Sequence, residues 1–266
     1  MIVESHSHIS LDLGGTESAS THYGMEPDSI DAYLRAYDQN KVDACYVFGL
    51  RSFWDSAFIQ RENTELAKLR KQYPRRLFPW GCVNPSWPEQ EVRAEIRRMA
   101  NDLGLYGIKL VPICQGFPIS GSGMDVVAEE AIRYHLPIFF HDGSPEYCSA
   151  VQVAYYARKY PELRVVSGHG GLREHWPDLI PAVRELPNLW VCLSGPTQWG
   201  IQTLYDELGP EKLLFGSDGG LGHPSVIKAY LRRVERLQAP EEHKKMILGD
   251  NAMQLLFGDA AKKSRT

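Results

Sequence analysis

Residues 2–8 read Ile2-Val3-Glu4-Ser5-His6-Ser7-His8. The apolar, β-branched opening reads as a short strand, Ile2 to His6, and the residues at its end decide between two α/β architectures. An open doubly wound sheet that binds a nucleotide carries a Gly-rich phosphate loop after its first strand. This chain has His-Ser-His there instead. Seven further runs share the pattern of a short apolar stretch followed by Gly, Pro or polar residues: Ala44 to Gly49, Leu77 to Val83, Gly107 to Val111, Pro137 to His141, Arg164 to His169, Leu189 to Leu193, and Leu213 to Ser217.

Between these runs lie stretches of helical periodicity. Ser29 to Asn40, after a prospective Asp28 cap, places Ile30, Tyr33, Leu34 and Tyr37 on one face. Asn63 to Tyr73, Glu89 to Leu103, Asp125 to Tyr134, Ser149 to Tyr160, Pro177 to Glu185 and Ile201 to Leu208 continue the alternation. Ser225 to Leu237 and Glu241 to Phe257 end it. Strand-then-helix repeated eight times predicts parallel strands joined by crossover helices. An open doubly wound sheet usually has fewer strands, so the expected fold is a closed (β/α)8 TIM barrel. The 266 residues sit close to the ~250 typical of such barrels. No linker or internal repeat divides the chain, and residues 1–266 are expected to form one domain.

Composition narrows the function classes. With 29 Lys and Arg against 33 Asp and Glu, the net charge of -4 provides no basic field for nucleic acid or membrane surface. Five scattered cysteines with no CxxC pair fit buried thiols in a reducing compartment better than disulfides or a thiolate metal site. No apolar run reaches the ~18 residues of a membrane span, and the first residues lack the charged and apolar regions of a signal peptide. The expectation is a cytoplasmic enzyme acting on a small molecule, with homodimerisation left open.

The chemistry lies in the histidines. His6 and His8 are two apart and share a strand face. His141, His169 and Asp218 fall at the ends of the fifth, sixth and eighth runs. These are carboxyl ends of strands, where barrel enzymes place their reactive groups. Inward imidazoles side by side are costly unless something coordinates them. Imidazole with carboxylate suits zinc, manganese or iron(II).

His6-Ser-His8, Gly107-Ile-Lys-Leu110, His141, Gly168-His-Gly-Gly171, Gly216-Ser-Asp218 and the terminal Ile247-Leu-Gly-Asp-Asn-Ala-Met-Gln-Leu-Leu-Phe257 occur in that order. This ordered set resembles the amidohydrolase superfamily, in particular its amidohydrolase-related branch of metal-dependent hydrolases and non-oxidative decarboxylases, including aminocarboxymuconate-semialdehyde decarboxylase-like enzymes. The resemblance implies one divalent metal, zinc before manganese or iron, held by His6, His8, His141 and Asp218. His169 would be a further ligand or would polarise the substrate. Two departures stand out: Glu4 where relatives carry Asp, and Gly219-Gly220 where many have an aromatic residue and a proline.

Lys109 has three readings: a strand-end amine in solvent, a carboxylated bridge between two metals, or an unmodified cation for an anionic substrate group, which its Gly-Ile-Lys-Leu context favours. Arg51 and Arg173 follow strand ends and could clamp a carboxylate. His22, His175 and His223 fall in connections that could line the mouth; His135 and His243 read as surface residues. Trp54, Phe117, Tyr147 and Trp199 could line an aromatic pocket or serve as core. In the expected mechanism, the metal lowers the pKa of bound water, Asp218 accepts its proton, and His169 helps polarise a carbonyl. Hydrolysis of an ester, lactone or amide ranks first, because the chain is compact and lacks the long insertions associated with the decarboxylases. Decarboxylation of an unsaturated or aromatic acid is the alternative. A Schiff-base aldolase built on Lys109 would leave His6, His8, His141 and Asp218 without a role.

Overall fold

The computed structural model describes residues 1–13, 29–219 and 225–263, with side chains to 258. His22, His223 and the Asp28 cap lie outside the described residues. Eight parallel strands alternate with helices, as the spacing predicts. They are β1 (Val3–His8), β2 (Ala44–Phe48), β3 (Leu77–Trp80), β4 (Ile108–Leu110), β5 (Ile138–Phe140), β6 (Val165–Ser167), β7 (Leu189–Cys192) and β8 (Leu213–Leu214). The main helices are α1 (Ile30–Asp38), α2 (Ile59–Gln72), α3 (Glu89–Arg98), α4 (Gly123–Arg133), α5 (Ala150–Lys159), α6 (Leu179–Glu185), α7 (Gln198–Leu208), α8 (Ser225–Glu235) and α9 (Asn251–Lys263).

Continuous pairing runs β1-β2-β3 and β4-β5-β6-β7-β8. Parallel bridges Gly81↔Ile108 and Ser7↔Gly219 join the two groups. At the second seam, His8 N donates to Gly219 O at 2.7 Å and Ser5 N to Phe215 O at 3.0 Å. The sheet therefore closes into a (β/α)8 barrel.

The helix caps follow local chemistry. Ser29 caps α1, accepting from Ala32 N; the expected start is one residue early because Ser29 itself is the cap. Ser149 and Gln152 form a reciprocal capping box on α5. The stretch read as one helix to Leu103 turns wide over Met99–Leu103 and stops at Gly104, whose φ of 64° is left-handed.

The side chains sort into two cores. Cys45, Val47, Ile108, Leu110, Ile138, Phe140, Val165 and Val191 pack outward against helices. Tyr46, Phe48, Trp80, Phe139, Val166, Trp190 and Leu214 fill the barrel. Phe48, Trp80 and Phe139 form a mutual triangle with ring centroids 4.9 to 5.9 Å apart. Each aromatic pair contributes about 0.5–1.5 kcal/mol beyond its burial. The result is a rigid floor beneath the histidines.

The first strand extends through the His-Ser-His motif instead of ending at His6. Its pairing with β2 runs Glu4↔Cys45 and then Ser7↔Val47, so one extra residue is inserted between them. That bulge matters. Glu4 pairs with Cys45, an outward-packed residue. Unbroken alternation would therefore carry His6 and His8 outward as well. The inserted residue flips the rest of the strand, turning both imidazoles onto the aromatic floor and sending Ser7 out to Tyr33 of α1 at 2.5 Å.

Candidate active site

The five expected groups gather at the carboxyl end of the barrel. Asp218 Oδ1 lies 3.2 Å from His6 Nε2 and 3.1 Å from His8 Nε2. The His6 ring stands 4.7 Å from that of His169 and 5.2 Å from that of His8. One donor atom each from His6, His169 and Asp218 fits within 4.8 Å of the others. His141 joins this group through His169, its Nδ1 lying 2.8 Å from His169 Nε2.

His6 Nδ1 faces the carbonyl oxygen of Gly168 at 3.0 Å. A carbonyl only accepts, so Nδ1 carries the proton and Nε2 carries a lone pair. That lone pair points toward Asp218 Oδ1, a buried oxygen that makes no hydrogen bond despite its two near imidazoles. No proton lies between His6 Nε2 and Asp218 Oδ1, and the Lys109 ammonium faces the same nitrogen at 3.2 Å from another side. That nitrogen–oxygen approach is repulsive unless a cation occupies the centre. Two ligands of a tetrahedral ion, each ~2.1 Å from it, stand roughly 3.4 Å apart. The observed separations match, so these residues fit a divalent metal.

Burial pushes the imidazoles of His6, His141 and His169 below their usual range, and the nearby Lys109 ammonium adds to this for each. Both effects favour the neutral form of the ring, which is the ligating one. Burial alone would raise the Asp218 carboxyl, but His6, His8 and His169 outweigh it and hold the carboxyl well below its usual range. Asp218 also adopts a φ of 57°, a left-handed conformation uncommon outside glycine. Strained backbone of this kind gathers at functional sites.

Two carboxylates scaffold the cluster. Glu4 accepts from His6 N at 2.9 Å, Ser217 N at 2.8 Å and Ser217 Oγ at 2.7 Å, tying β1 to the Asp218 turn. Burial raises its pKa to about 8 against those hydrogen bonds. Asp142 accepts from His169 N, Gly171 N and Ser167 Oγ, each at 2.7 Å. It holds the Gly168–Gly171 turn, in which Gly171 has a φ of 78°. Ser194, just beyond β7, reaches His6 Nδ1, His169 Nδ1 and Gly168 O. Asp142 and Ser194 join the cluster although neither is among the residues expected from the sequence. The first is adjacent to His141 in Phe-His-Asp-Gly and carried a signal; the second follows an ordinary apolar strand and carried none.

Lys109 sits in the middle of β4 with its neighbours Ile108 and Leu110 packed outward. It is only 1% exposed, which removes the reading as an amine in solvent. Its Nζ lies 3.2 Å from His6 Nε2 and over the rings of Phe139 and Phe48 at 4.5 and 4.9 Å. Burial lowers its pKa to about 8. Arg51 stacks its guanidinium on Phe58 at 3.8 Å, and Arg173 is exposed. Phe53 stands edge-on to His8. Of the other aromatic residues, Trp54 and Trp199 are exposed and Tyr147 is half-buried. Phe117 is buried beside a separate groove of about 510 Å³ between the loops after β3 and β4. His175 lies 3.7 Å from Asp178, His135 is exposed, and His243 bonds Tyr205 Oη at 2.7 Å.

A closed parallel barrel with imidazoles and a carboxylate at its strand ends defines the class of (β/α)8-barrel enzymes. The family model described as Amidohydrolase matches residues 15–258, and the chain belongs to that family. Among solved structures, 5-carboxyvanillate decarboxylase from Sphingomonas paucimobilis superposes with a TM-score of 0.74 at 16% identity, covering 96% of this chain and 98% of that one. The 5-carboxyvanillate decarboxylase from Novosphingobium aromaticivorans with bound manganese gives 0.72 at 15% identity, covering 96% and 97%. 4-Oxalomesaconate hydratase from Rhodopseudomonas palustris gives 0.70 at 16% identity, covering 100% and 98%. No functionally curated protein sequence matches the chain. Among the described residues, no helix is long and apolar enough to cross a membrane.

Proposed function

We propose that the chain is a divalent-metal-dependent, non-oxidative decarboxylase of a small aromatic or unsaturated carboxylic acid. The observation that carries this reading is Lys109. A buried ammonium is costly unless an anion meets it. Among the described residues, no carboxylate lies within ion-pair distance of its Nζ, which faces the histidine cluster across two aromatic rings. A substrate carboxylate or phenolate is the partner that fits. Two of the structural relatives named above are decarboxylases, which supports the same reading.

His6, His8 and Asp218 would hold the metal, with either His141 or His169 as the remaining imidazole. In the pair as it stands, His169 Nε2 is spent on His141 Nδ1. His169 can ligate through that atom only by releasing His141. When bound, the metal would supply Lewis-acid polarisation of a substrate oxygen. Manganese, zinc and iron(II) all suit this donor set.

Lys109 would hold the anionic group while the aromatic residues Phe48, Phe139 and Phe53 exclude water from it. Loss of carbon dioxide leaves an electron pair on carbon that must take up a proton. Asp218 is the charged group of the cluster with access to the mouth, its side chain being 31% exposed. We assign it the relay of a proton from solvent water at the mouth to that carbon, with His169 polarising the substrate oxygen.

Hydrolysis of an ester, lactone or amide remains the second reading, and one observation favours it. Neither Arg51 nor Arg173 joins Lys109 at the centre, so the carboxylate clamp would rest on one lysine. A panel of aromatic and unsaturated carboxylic acids, lactones and esters, followed for both carbon dioxide and net acid release, separates the two. Carbon dioxide without hydrolysis is expected. Acid release from esters or lactones without carbon dioxide would overturn the proposal.

A further inference from the structure

The hydrogen-bond pattern around Gly168 decides more than the state of His6. Its carbonyl oxygen lies 3.0 Å from His6 Nδ1 and 2.9 Å from Ser194 Oγ. Since a carbonyl has no proton to give, both neighbours must donate to it. Ser194 has a single hydroxyl hydrogen, and this contact is the shortest of its three. Its lone pairs are then left to face His169 Nδ1 at 3.2 Å and His6 Nδ1 at 3.3 Å. An imidazole nitrogen facing an oxygen that has spent its hydrogen must itself donate.

We propose that Ser194 is a positioning residue that fixes His169 as the Nδ1–H tautomer and, through it, fixes His141. With Nδ1 protonated, His169 Nε2 is bare and lies 2.8 Å from His141 Nδ1, which must then donate to it. His141 Nε2 is left with a lone pair as well. One backbone carbonyl and one serine thus set three rings from three strand ends so that each presents an unprotonated Nε2. Ser194 touches no reacting atom in this scheme. The backbone of His169 is already anchored by Asp142, so the serine acts on the ring alone. The consequence for metal affinity rests on the metal-centre reading above, whereas the tautomer assignment does not.

The two histidines respond differently to loss of the hydroxyl, which supplies an internal control. In Ser194→Ala, His6 keeps Gly168 O as its acceptor, while His169 loses the hydroxyl that faces its Nδ1. Long-range ¹H–¹⁵N spectra of metal-free, histidine-labelled protein, assigned with single His→Gln variants, report the tautomer of each ring. The expected wild-type result is Nδ1–H for His6, His141 and His169. In Ser194→Ala, His6 is expected to stay unchanged while His169 and His141 average between tautomers. Calorimetry with Mn²⁺ or Zn²⁺ alone is expected to show affinity lowered roughly 10-fold, as for lost outer partners of ligating histidines. An Nε2–H tautomer of wild-type His169, an unmixed Nδ1–H state in Ser194→Ala, or unchanged metal affinity would each overturn the proposal. The expected tautomers in a protein that releases no carbon dioxide would keep the Ser194 assignment and discard the decarboxylase reading.

Discussion

Replacing Asp142 with Asn tests whether the cluster depends on its buried scaffold. The carboxylate receives three donors: His169 N on Oδ1, and both Gly171 N and Ser167 Oγ on Oδ2. An amide has one oxygen, and its best placement is at Oδ2, where it keeps two of the three bonds. The amide nitrogen then faces the N–H of His169. Leaving that buried donor unpaired costs about 1–3 kcal/mol. The two surviving bonds lose their charge assistance, adding roughly 1 kcal/mol. The total is about 2–4 kcal/mol, or a Tm lowered by roughly 4–16 °C at the ~2–4 °C per kcal/mol usual for chains near this size. Differential scanning calorimetry measures this directly. Because the loosened group is the backbone of His169, metal affinity should fall with it, by about 10-fold or more. A Tm within about 1 °C of the wild type, with metal affinity intact, would refute the reasoning.

Asp218→Asn keeps an oxygen for the metal but loses the proton carrier, so steady-state assays should show metal retained and turnover reduced by about 10²-fold or more. Unchanged turnover would remove Asp218 from the proton transfer. Lys109→Met fills the same space between Phe48 and Phe139 without the charge. Losing a charge-assisted hydrogen bond of ~1.5–3 kcal/mol should lower kcat/KM for carboxylate substrates by roughly 10- to 100-fold while the fold is preserved. Glu62→Gln tests the turn after β2, where one carboxylate accepts from Leu50 N, Arg51 N and Ser52 N, each at 3.0 Å. Thermal unfolding should show about 1–3 kcal/mol of destabilisation.

Much of this architecture was legible because short apolar runs ending in polar residues recur at barrel spacing. The inward aim of His6 and His8 was not, since it depends on a one-residue bulge that alternation does not announce. The expected strands β5, β6 and β8 end at His141, His169 and Ser217, beyond the last paired residues Phe140, Ser167 and Leu214, because the runs continue into the turns that carry the site. The His141–His169 pair and the Ser194 contacts join residues 25 or more positions apart, and only barrel closure brings them together. Lys109 was visible as a strand residue, but its burial follows from the width of the aromatic floor around it.

Metal content tests the central claim most directly. Purified protein exposed to Mn²⁺ or Zn²⁺ and then dialysed should hold about one ion per chain. The His6→Ala, His8→Ala double variant, folded by circular dichroism, should hold close to none. Full metal content in that double variant, or none in the wild-type chain, would contradict the account.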